Sequence, residues 1–300
     1  MPSAARQTDD PALDVTPERL LALRRHLRSG VGGRWHPDLR PAGFPGRRRG
    51  AGLETIDVRP FVEGDDVRYL DRNVTARTGT PHVRSFREER GATVLLVADF
   101  RAAMLWGTRR ALRSVAAAEA LALGGWRALE AEGRVGALAL AAGEMRYVPP
   151  RGRLAGMAAV AGGLAAAHAA ALASAGAPGR APEPALDRLL EAAVGLAPRG
   201  TSFVLATALD DPGREFEALA GSLGRAGRLK LLLVQDAFEL APPAGTYAYA
   251  DGRGRHVGRP EPAADRRDGL ARLGIPAMAV DVRAEGDALA RAWDLFDGWR

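Results

Sequence analysis

The chain has 300 residues, a formal net charge of +6 and no cysteine. This length suits one large domain, or a domain with a substantial appendage. The absence of cysteine excludes disulfides, thiolate metal sites and a cysteine nucleophile. Arginine supplies nearly all of the positive charge, since Lys230 is the sole lysine. We favour a coding bias over phosphate recognition as the explanation. Because the first ten residues lack the apolar run of a signal peptide, we expect a cytoplasmic protein.

The N-terminal part begins with residues 1–14, which we expect to be disordered. A helix is predicted next, because Thr16 is a favourable cap and Pro17 is favoured at the first helical position. Gly30 ends this helix, and a loop rich in Gly, Pro and Arg follows. Its arginine run at 47–49 is a candidate phosphate contact, although such runs are more often solvated surface loops.

A charged segment follows, and we group it with the N-terminal helix as a region covering residues 15–91. Gly64, Asp65 and Asp66 predict a turn, because Gly tolerates positive φ and Asp bonds its own backbone. Short strands are expected on either side of it, at 55–61 and 82–86. Arginines and carboxylates alternate here and can pair bidentately, which would fix the shape of the surface. The alternative is a solvated face of weak exposed ion pairs.

The remainder, residues 92–300, alternates between strand and helix patterns. Strands are predicted at 93–98, 135–140, 145–148, 202–206, 229–234 and 277–282. Helices are predicted at 109–132, 153–173, 185–197, 214–225, 265–273 and 287–299. The pattern predicts an α/β domain with an open, mainly parallel sheet, helices on both faces and one antiparallel edge strand at 145–148. The helix at 153–173 is mostly alanine and glycine, so we expect no membrane insertion.

The stretch from Gly50 to Gly107 resembles the family called domain of unknown function 58, a von Willebrand factor A-like group. The family's pattern is a G-x-G-x-E start, a Gly-Asp-Asp turn, an S/T-A-R triplet, an E-R pair and a strand that ends in aspartate. The matching residues are Gly50, Gly52, Glu54, Arg59, Gly64, Asp65, Asp66, Arg68, Asp71, Thr75, Ala76, Arg77, Glu89, Arg90, Asp99, Met104 and Gly107. The resemblance implies a von Willebrand factor A-like, Rossmann-like sheet, with an N-terminal helix and a small β-containing appendage before it.

The resemblance also implies a metal-ion-dependent adhesion site with the signature D-x-S-x-S, which is degenerate here. Asp99 is kept, but Arg101 and Ala103 stand at the two serine positions. The family's Ser-Asp pair after the fourth strand falls on Thr207 and Ala208. Asp210 lies just beyond and is a candidate substitute, as is the neighbouring Asp211. We expect no metal, and we expect Arg101 to take the place of the cation beside Asp99, with Asp210 as a second partner.

Ligands of open α/β sheets bind in the crevice where the strand order reverses. The resemblance to the family implies a strand order in which this crevice lies between the strands at 93–98 and 202–206. Its expected residues are Asp99, Arg101, Ala103, Thr207, Ala208 and Asp210. The scattered histidines lack metal-ligand spacing, and no glycine-rich phosphate loop follows a strand. We therefore expect neither a cofactor nor an enzymatic activity.

The resemblance implies a non-enzymatic interaction module that partners a MoxR-type AAA+ ATPase in chaperone-like protein maturation, with client proteins as further partners. The expected partner-binding residues are Asp65, Asp66, Arg68, Asp71 and Arg77. Two interpretations stay open for this set. It can bind the partner, or it can serve only as a structural lattice while partners bind the crevice near Asp99. The alternative function is an arginine-rich nucleic-acid-binding protein that uses the run at 47–49, and we favour the interaction module.

Overall fold

The computed structural model describes residues 10–27, 53–62, 70–88, 92–175, 183–251 and 254–298. The chain forms two compact units. One contains Met1–Asp38 together with Ala92–Arg300, and the other contains Leu39–Gly91.

The smaller unit is built on two antiparallel strands, β1 (Leu53–Pro60) and β2 (His82–Glu88). The expected strand pair is therefore present. Between them lies a helix that the sequence patterns did not predict, α2 (Arg72–Thr78). Asp71 caps its first turn, and Gly79 ends it with a φ of 73°, a conformation that glycine adopts without steric cost.

The larger unit contains a six-stranded sheet in the order β10-β7-β6-β3-β4-β5. All neighbours are parallel except β5, which is antiparallel to β4 at the edge. The strands are β3 (Thr93–Asp99), β4 (Arg134–Ala141), β5 (Glu144–Gly152), β6 (Ser202–Thr207), β7 (Leu229–Gln235) and β10 (Ala277–Asp281). This confirms a mixed α/β fold with a mostly parallel central sheet flanked by helices.

Side chains of the central strands alternate between two hydrophobic cores, one on each face of the sheet. In β3, Val94 and Leu96 belong to one core, and Leu95 and Val97 belong to the other. The helices that cover the first face are α1 (Pro17–Ala22), α3 (Arg113–Glu130), α4 (Arg153–Ser174) and α9 (Gly286–Gly298). Those that cover the second are α5 (Leu186–Leu196), α6 (Phe216–Arg225) and α8 (Arg267–Arg272). Because both faces are covered, the strands are continuous apolar runs.

Short elements complete the larger unit at one end of β7. The helix α7 (Ala237–Leu240) follows β7 directly. A small antiparallel hairpin, β8 (Tyr247–Asp251) and β9 (Gly254–Gly258), comes next.

The N-terminal helix lies in the larger unit. The prediction from the sequence had grouped it with the charged segment. Leu20 is buried in the first core, and the indole of Trp126 donates a hydrogen bond to its carbonyl oxygen at 3.2 Å. Residues 10–14 were expected to be disordered but contain a turn, in which the backbone N–H of Asp14 bonds the carbonyl of Asp10. Residues 1–9 lie outside the described part of the chain.

The helix α4 is long and apolar enough to cross a membrane by length and composition alone. In this fold it packs against β4 and β5, and eight of its residues are buried, including Met157 and His168.

Candidate functional site

The crevice lies at the carboxyl ends of β3 and β6, which are neighbours in the sheet. From β3 the chain builds outward through β4 and β5, then returns to place β6 on the other side of β3. Strand order therefore reverses between β3 and β6, where open α/β sheets bind ligands. The predicted position of the crevice agrees with this topology.

At the carboxyl end of β3, the guanidinium of Arg101 forms a bidentate clasp on the carboxylate of Asp99. Its Nε lies 2.9 Å from Oδ1 of Asp99 and its Nη2 lies 2.9 Å from Oδ2. The backbone N–H of Arg101 adds a bond to Oδ1 at 3.2 Å, and Thr207 Oγ1 donates to Oδ2 at 2.8 Å. Asp99 is 1% exposed and Arg101 is 4% exposed. Each oxygen of this buried carboxylate therefore accepts two hydrogen bonds.

The charge of Arg101 is maintained in spite of its burial. Burial acts to lower the pKa of Arg101, but its hydrogen bond to Asp99 and the negative charges of Asp99, Asp211 and Glu183 raise it, so the pKa lies above its ordinary value. The bidentate hydrogen bonds to the carboxylate thus offset the cost of burying the guanidinium.

Arg101 also holds the loop that follows β6. Its Nη2 donates to the carbonyl of Asp210 at 2.6 Å, and its Nη1 donates to the carbonyl of Asp211 at 3.1 Å. Arg266 binds the two preceding carbonyls, at 2.8 Å for Ala208 and 3.1 Å for Leu209. Four consecutive carbonyl oxygens are thus bound by two guanidinium groups.

The same loop has an unusual backbone. Leu209 has a φ of 60° and Asp211 a φ of 45°, both in the left-handed region that side chains disfavour by about 1 kcal/mol each. Residues keep such angles only where surrounding contacts hold them. The hydrogen bonds from the two arginines are among the contacts that hold this loop, together with the bond from the N–H of Leu209 to Oγ1 of Thr207 at 3.0 Å.

A second buried arginine, Arg113, connects the crevice to its neighbouring surface. Its Nη1 lies 3.1 Å from Oδ2 of Asp210 and 3.1 Å from the carbonyl of Ala103. Its Nη2 pairs with Glu239, and its guanidinium carbon lies 4.2 Å from the ring centroid of Trp106. Burial raises the pKa of the Asp210 carboxyl, and the positive charge of Arg113 partly opposes this.

The end of β7 adds a further buried carboxylate, Asp236. It caps α7 through the backbone N–H of Phe238 at 2.8 Å, and it accepts hydrogen bonds from the N–H and hydroxyl of Thr108. Glu239 completes the capping box by accepting the N–H of Asp236 at 2.9 Å. Burial acts to raise the pKa of Asp236, but these hydrogen bonds outweigh it and the pKa is lowered.

This donor set does not fit a divalent cation. Such an ion needs about six oxygen ligands, whereas both oxygens of Asp99 accept bonds from Arg101 and Thr207. Ala103 offers no hydroxyl, and Arg101 places a positive charge beside the one acid that the signature keeps. Across the residues that the structure describes, no group of three or more acidic or histidine side chains is arranged to hold a metal ion.

Asp99, Arg101, Ala103, Thr207, Ala208 and Asp210 were predicted for the crevice, and the structure brings them together around the ends of β3 and β6. One detail differs from expectation, because the carboxylate of Asp210 pairs with Arg113 and only its carbonyl binds Arg101. The sequence reasoning missed Arg113, Asp236 and Glu239. The signal for the last two was available, since Asp236 follows a predicted strand and a glutamate stands three residues later.

The predicted partner-binding residues lie in the smaller unit. Asp65, Asp66 and Arg68 fall outside the described residues, as does the arginine run at 47–49. The carboxylate of Asp71 caps α2 by accepting the N–H groups of Asn73 and Val74, each at 3.0 Å. The side chain of Arg77 is exposed and makes no hydrogen bond or ion pair with another described residue. Asp71 therefore has a structural role in this unit, and partner binding by the set stays a prediction.

A family model described as "Protein of unknown function DUF58" matches residues 57–256, which is two thirds of the chain. The chain belongs to the DUF58 family. The match begins within β1 of the smaller unit and covers every strand of the six-stranded sheet except β10, so the family assignment applies to both units.

Proteins with related sequences include uncharacterized proteins of Mycobacterium bovis and of two strains of Mycobacterium tuberculosis. Each is 36% identical to this DUF58 chain over 149 residues, covering 48% of this chain and 43% of the relative. The match thus spans less than half the length of these relatives. A crystal structure of the conserved hypothetical protein BatB from Bacteroides thetaiotaomicron is similar with a TM-score of 0.39 and 14% identity, covering 68% of this chain and 97% of that one. A similarity of that size assigns no fold.

Proposed function

We propose that this chain is a non-enzymatic protein-interaction module with a von Willebrand factor A-like fold, in which Arg101 occupies the place of the cation in a degenerate adhesion site. The carrying observation is the clasp between Arg101 and Asp99, in which each oxygen of the buried carboxylate accepts two hydrogen bonds. A fixed internal guanidinium neutralises the acid as a metal would, so the crevice keeps its shape independently of the cation concentration.

Among the described residues, a serine and a histidine lie close together in the hydrophobic core. The hydroxyl of Ser114 lies 2.9 Å from Nε2 of His168, which is the spacing of a nucleophile and its base. Both residues are buried in the core between α3 and α4, at 0% and 1% exposure. A substrate cannot reach this pair, so we assign it to packing.

The partner that we propose is a MoxR-type AAA+ ATPase in the cytoplasm, with which the module would act in chaperone-like maturation of client proteins. This part of the proposal rests on the family resemblance in the charged segment, above all on Asp65, Asp66 and Arg77.

Metal titration tests the proposed role of Arg101. We expect calorimetry with Mn²⁺ to show no saturable binding to the wild type. The variant Arg101→Ser with Ala103→Ser restores the D-x-S-x-S signature and should gain binding, because two hydroxyls join Asp99 and Thr207 around the vacated position. Micromolar binding of Mn²⁺ to the wild type would refute the proposal, and so would a folded double variant that binds no better than the wild type.

Affinity capture from native-host lysate with ATP, with and without nuclease, tests the partnership. We expect a MoxR-type ATPase in both samples, and we expect charge reversal by Asp65→Arg with Asp66→Arg to abolish its capture without changing the melting temperature. Asp268→Arg, at an exposed position in the larger unit, is the matched control. Partners retained only in the absence of nuclease would favour the nucleic-acid alternative, whose binding should also weaken steeply with salt.

A further inference from the structure

A cavity of about 550 Å³ lies beside the crevice, where α7 faces the hairpin of β8 and β9. Its walls include three aromatic side chains, those of Trp106, Phe238 and Tyr247. Each is only partly buried, so each ring leaves apolar surface exposed. The volume is in the range of pockets that bind small ligands or short peptide segments. We call this feature the aromatic cavity.

The rings of the aromatic cavity are held in place by contacts behind them. The guanidinium of Arg113 lies over Trp106, and the N–H of Arg113 donates to the Trp106 carbonyl at 3.0 Å. Phe238 is fixed by its N–H bond to Asp236. The rings of Phe238 and Tyr247 pack edge to face, with centroids 5.2 Å apart and planes at 90°. A wall that is already ordered loses little conformational freedom when a ligand binds.

The charges around the aromatic cavity exclude a strongly charged ligand. Glu239 is already engaged by Arg113 and by the N–H of Asp236. Arg259 and Glu261 are exposed on the rim and make no hydrogen bond or ion pair with the other residues that the structure describes. The rim thus carries one available charge of each sign. A phosphate group would need several converging donors, and a polycation would need an excess of acid, and neither is present in the described lining.

The chain's own sequence shows which chemistry these walls accept. Residues 259–263 read Arg-Pro-Glu-Pro-Ala and form neither helix nor strand. Pro260 is partly buried and lines the aromatic cavity, and the N–H of Ala263 donates to the carbonyl of Glu239 at 2.8 Å. Aromatic rings thus already face a proline in an irregular segment. Proline-containing segments suit such walls, because the proline ring is compact and apolar and their backbone is largely ordered before binding.

We propose that the aromatic cavity binds a proline-rich extended segment of low net charge from a protein partner. This inference rests on the proposed interaction function, since it names the kind of partner segment that the module receives. It concerns a different surface from the charged segment of the smaller unit, so the two can fail separately.

The test is fluorescence anisotropy with a labelled decaproline peptide and the full 300-residue chain. We expect saturable binding, and we expect binding about 10-fold weaker or worse for a peptide in which alternate prolines are alanine. The absence of saturable binding, or equal binding of the two peptides, would overturn the proposal.

Two variants locate the binding within the molecule. Trp106→Ala removes a wall and should weaken binding by about 10-fold or more, as truncation of aromatic anchors does. Because Arg113 rests on this ring, Ala248→Arg provides a second variant that fills the aromatic cavity from an exposed strand position. Ala158→Arg, on the exposed face of α4, is the matched control and should change nothing. Binding that survives Ala248→Arg, or that falls equally in Ala158→Arg, would contradict the assignment.

The outcomes separate this inference from the proposed function. If decaproline fails to bind while the ATPase is still captured, the cavity assignment is wrong and the interaction function stands. If decaproline binds but no ATPase is captured in either sample, the cavity assignment stands and the partnership is wrong.

Discussion

Arg101 makes two hydrogen bonds of 2.9 Å to Asp99, which stands two positions earlier in the chain. The same Asp-x-Arg clasp occurs at Asp281 and Arg283, where the backbone N–H, Nε and Nη2 of the arginine all bond the carboxylate. The two clasps differ in burial. The side chain of Arg101 is 5% exposed, whereas that of Arg283 is 59% exposed. The two clasps share one local geometry. The stability that each contributes therefore depends on how deeply it is buried.

This comparison yields a matched pair of variants. Arg101→Met leaves Asp99 charged and buried without its cation, and we expect a loss of about 3–5 kcal/mol in the free energy of unfolding. Arg283→Met breaks an exposed clasp and should leave stability unchanged within error. Urea denaturation of both variants measures the difference. If the free energy of unfolding fell no more in Arg101→Met than in Arg283→Met, the buried clasp would not stabilise the fold more than the exposed one.

Replacing glycine by alanine should have opposite effects on the stability of the fold at two helical positions. A Cβ at Gly124 in α3 would lie 2.7 Å from the ring of Trp293, which is fully buried and bonds the carbonyl of Ala120 at 2.9 Å. Gly124→Ala should destabilise the fold by about 1–3 kcal/mol through overpacking. At Gly162 in α4 the added methyl would meet nothing within 4 Å. Gly162→Ala should stabilise by about 0.5–1 kcal/mol, because the unfolded chain loses freedom.

Thermal unfolding followed by circular dichroism measures both glycine variants. A stable Gly124→Ala protein would show that α3 and α9 separate without cost, contrary to the packing described here.

The buried imidazole of His168 makes the stability of the fold depend on pH. Burial lowers its pKa from 6.5 to about 4, and the charge of Asp14 opposes this only in part. The unfolded chain therefore binds a proton that the folded chain excludes, so this contribution to stability is fully present above pH 6.5. It is lost as the pH falls from 6.5 to about 4, and the total loss is on the order of 3 kcal/mol.

The measurement is urea denaturation at pH 7 and at pH 4, for the wild type and for His168→Gln. The variant keeps a hydrogen-bonding group near Ser114 but does not titrate. We expect the wild type to lose about 3 kcal/mol more than the variant over this interval. Equal losses would mean that His168 is protonated in the folded protein or accessible to water.

Within the larger unit, Glu119 of α3 holds the N-terminal helix α1 in place. Its carboxylate is buried and accepts bonds from Arg19 of α1 at 2.5 Å and from Arg110 at 2.8 Å. Glu119→Ala leaves two guanidinium groups without their acid, and we expect a loss of about 3 kcal/mol. Glu191→Ala is the control, because Glu191 pairs with Arg188 on an exposed helix face, and we expect no measurable loss there. Limited proteolysis near residue 27 should accelerate only in Glu119→Ala.

Much of the fold could be predicted from the sequence, because many of its elements depend on local patterns of apolar residues. The continuous apolar runs at β3 and β6 and the helical spacing in α3 predicted their elements to within a few residues. Helix α2 was missed because its seven residues carry no apolar face, and tertiary and capping contacts of Asp71 and Thr75 define it instead. Helix α7 was missed for a different reason, since four residues are too few for a periodic signal.

The candidate site, like the fold, could be predicted from the sequence only in part. An Asp-x-Arg sequence at a strand end determined by itself that Arg101 could clasp Asp99, because the two groups are within reach of each other in the local chain. Only the tertiary structure decided that this clasp is buried, that Arg101 also holds the carbonyls of Asp210 and Asp211, and that Arg113 takes the carboxylate of Asp210. Those contacts join residues about a hundred positions apart, and the packing of β3 against β6, which no local pattern encodes, brings them together.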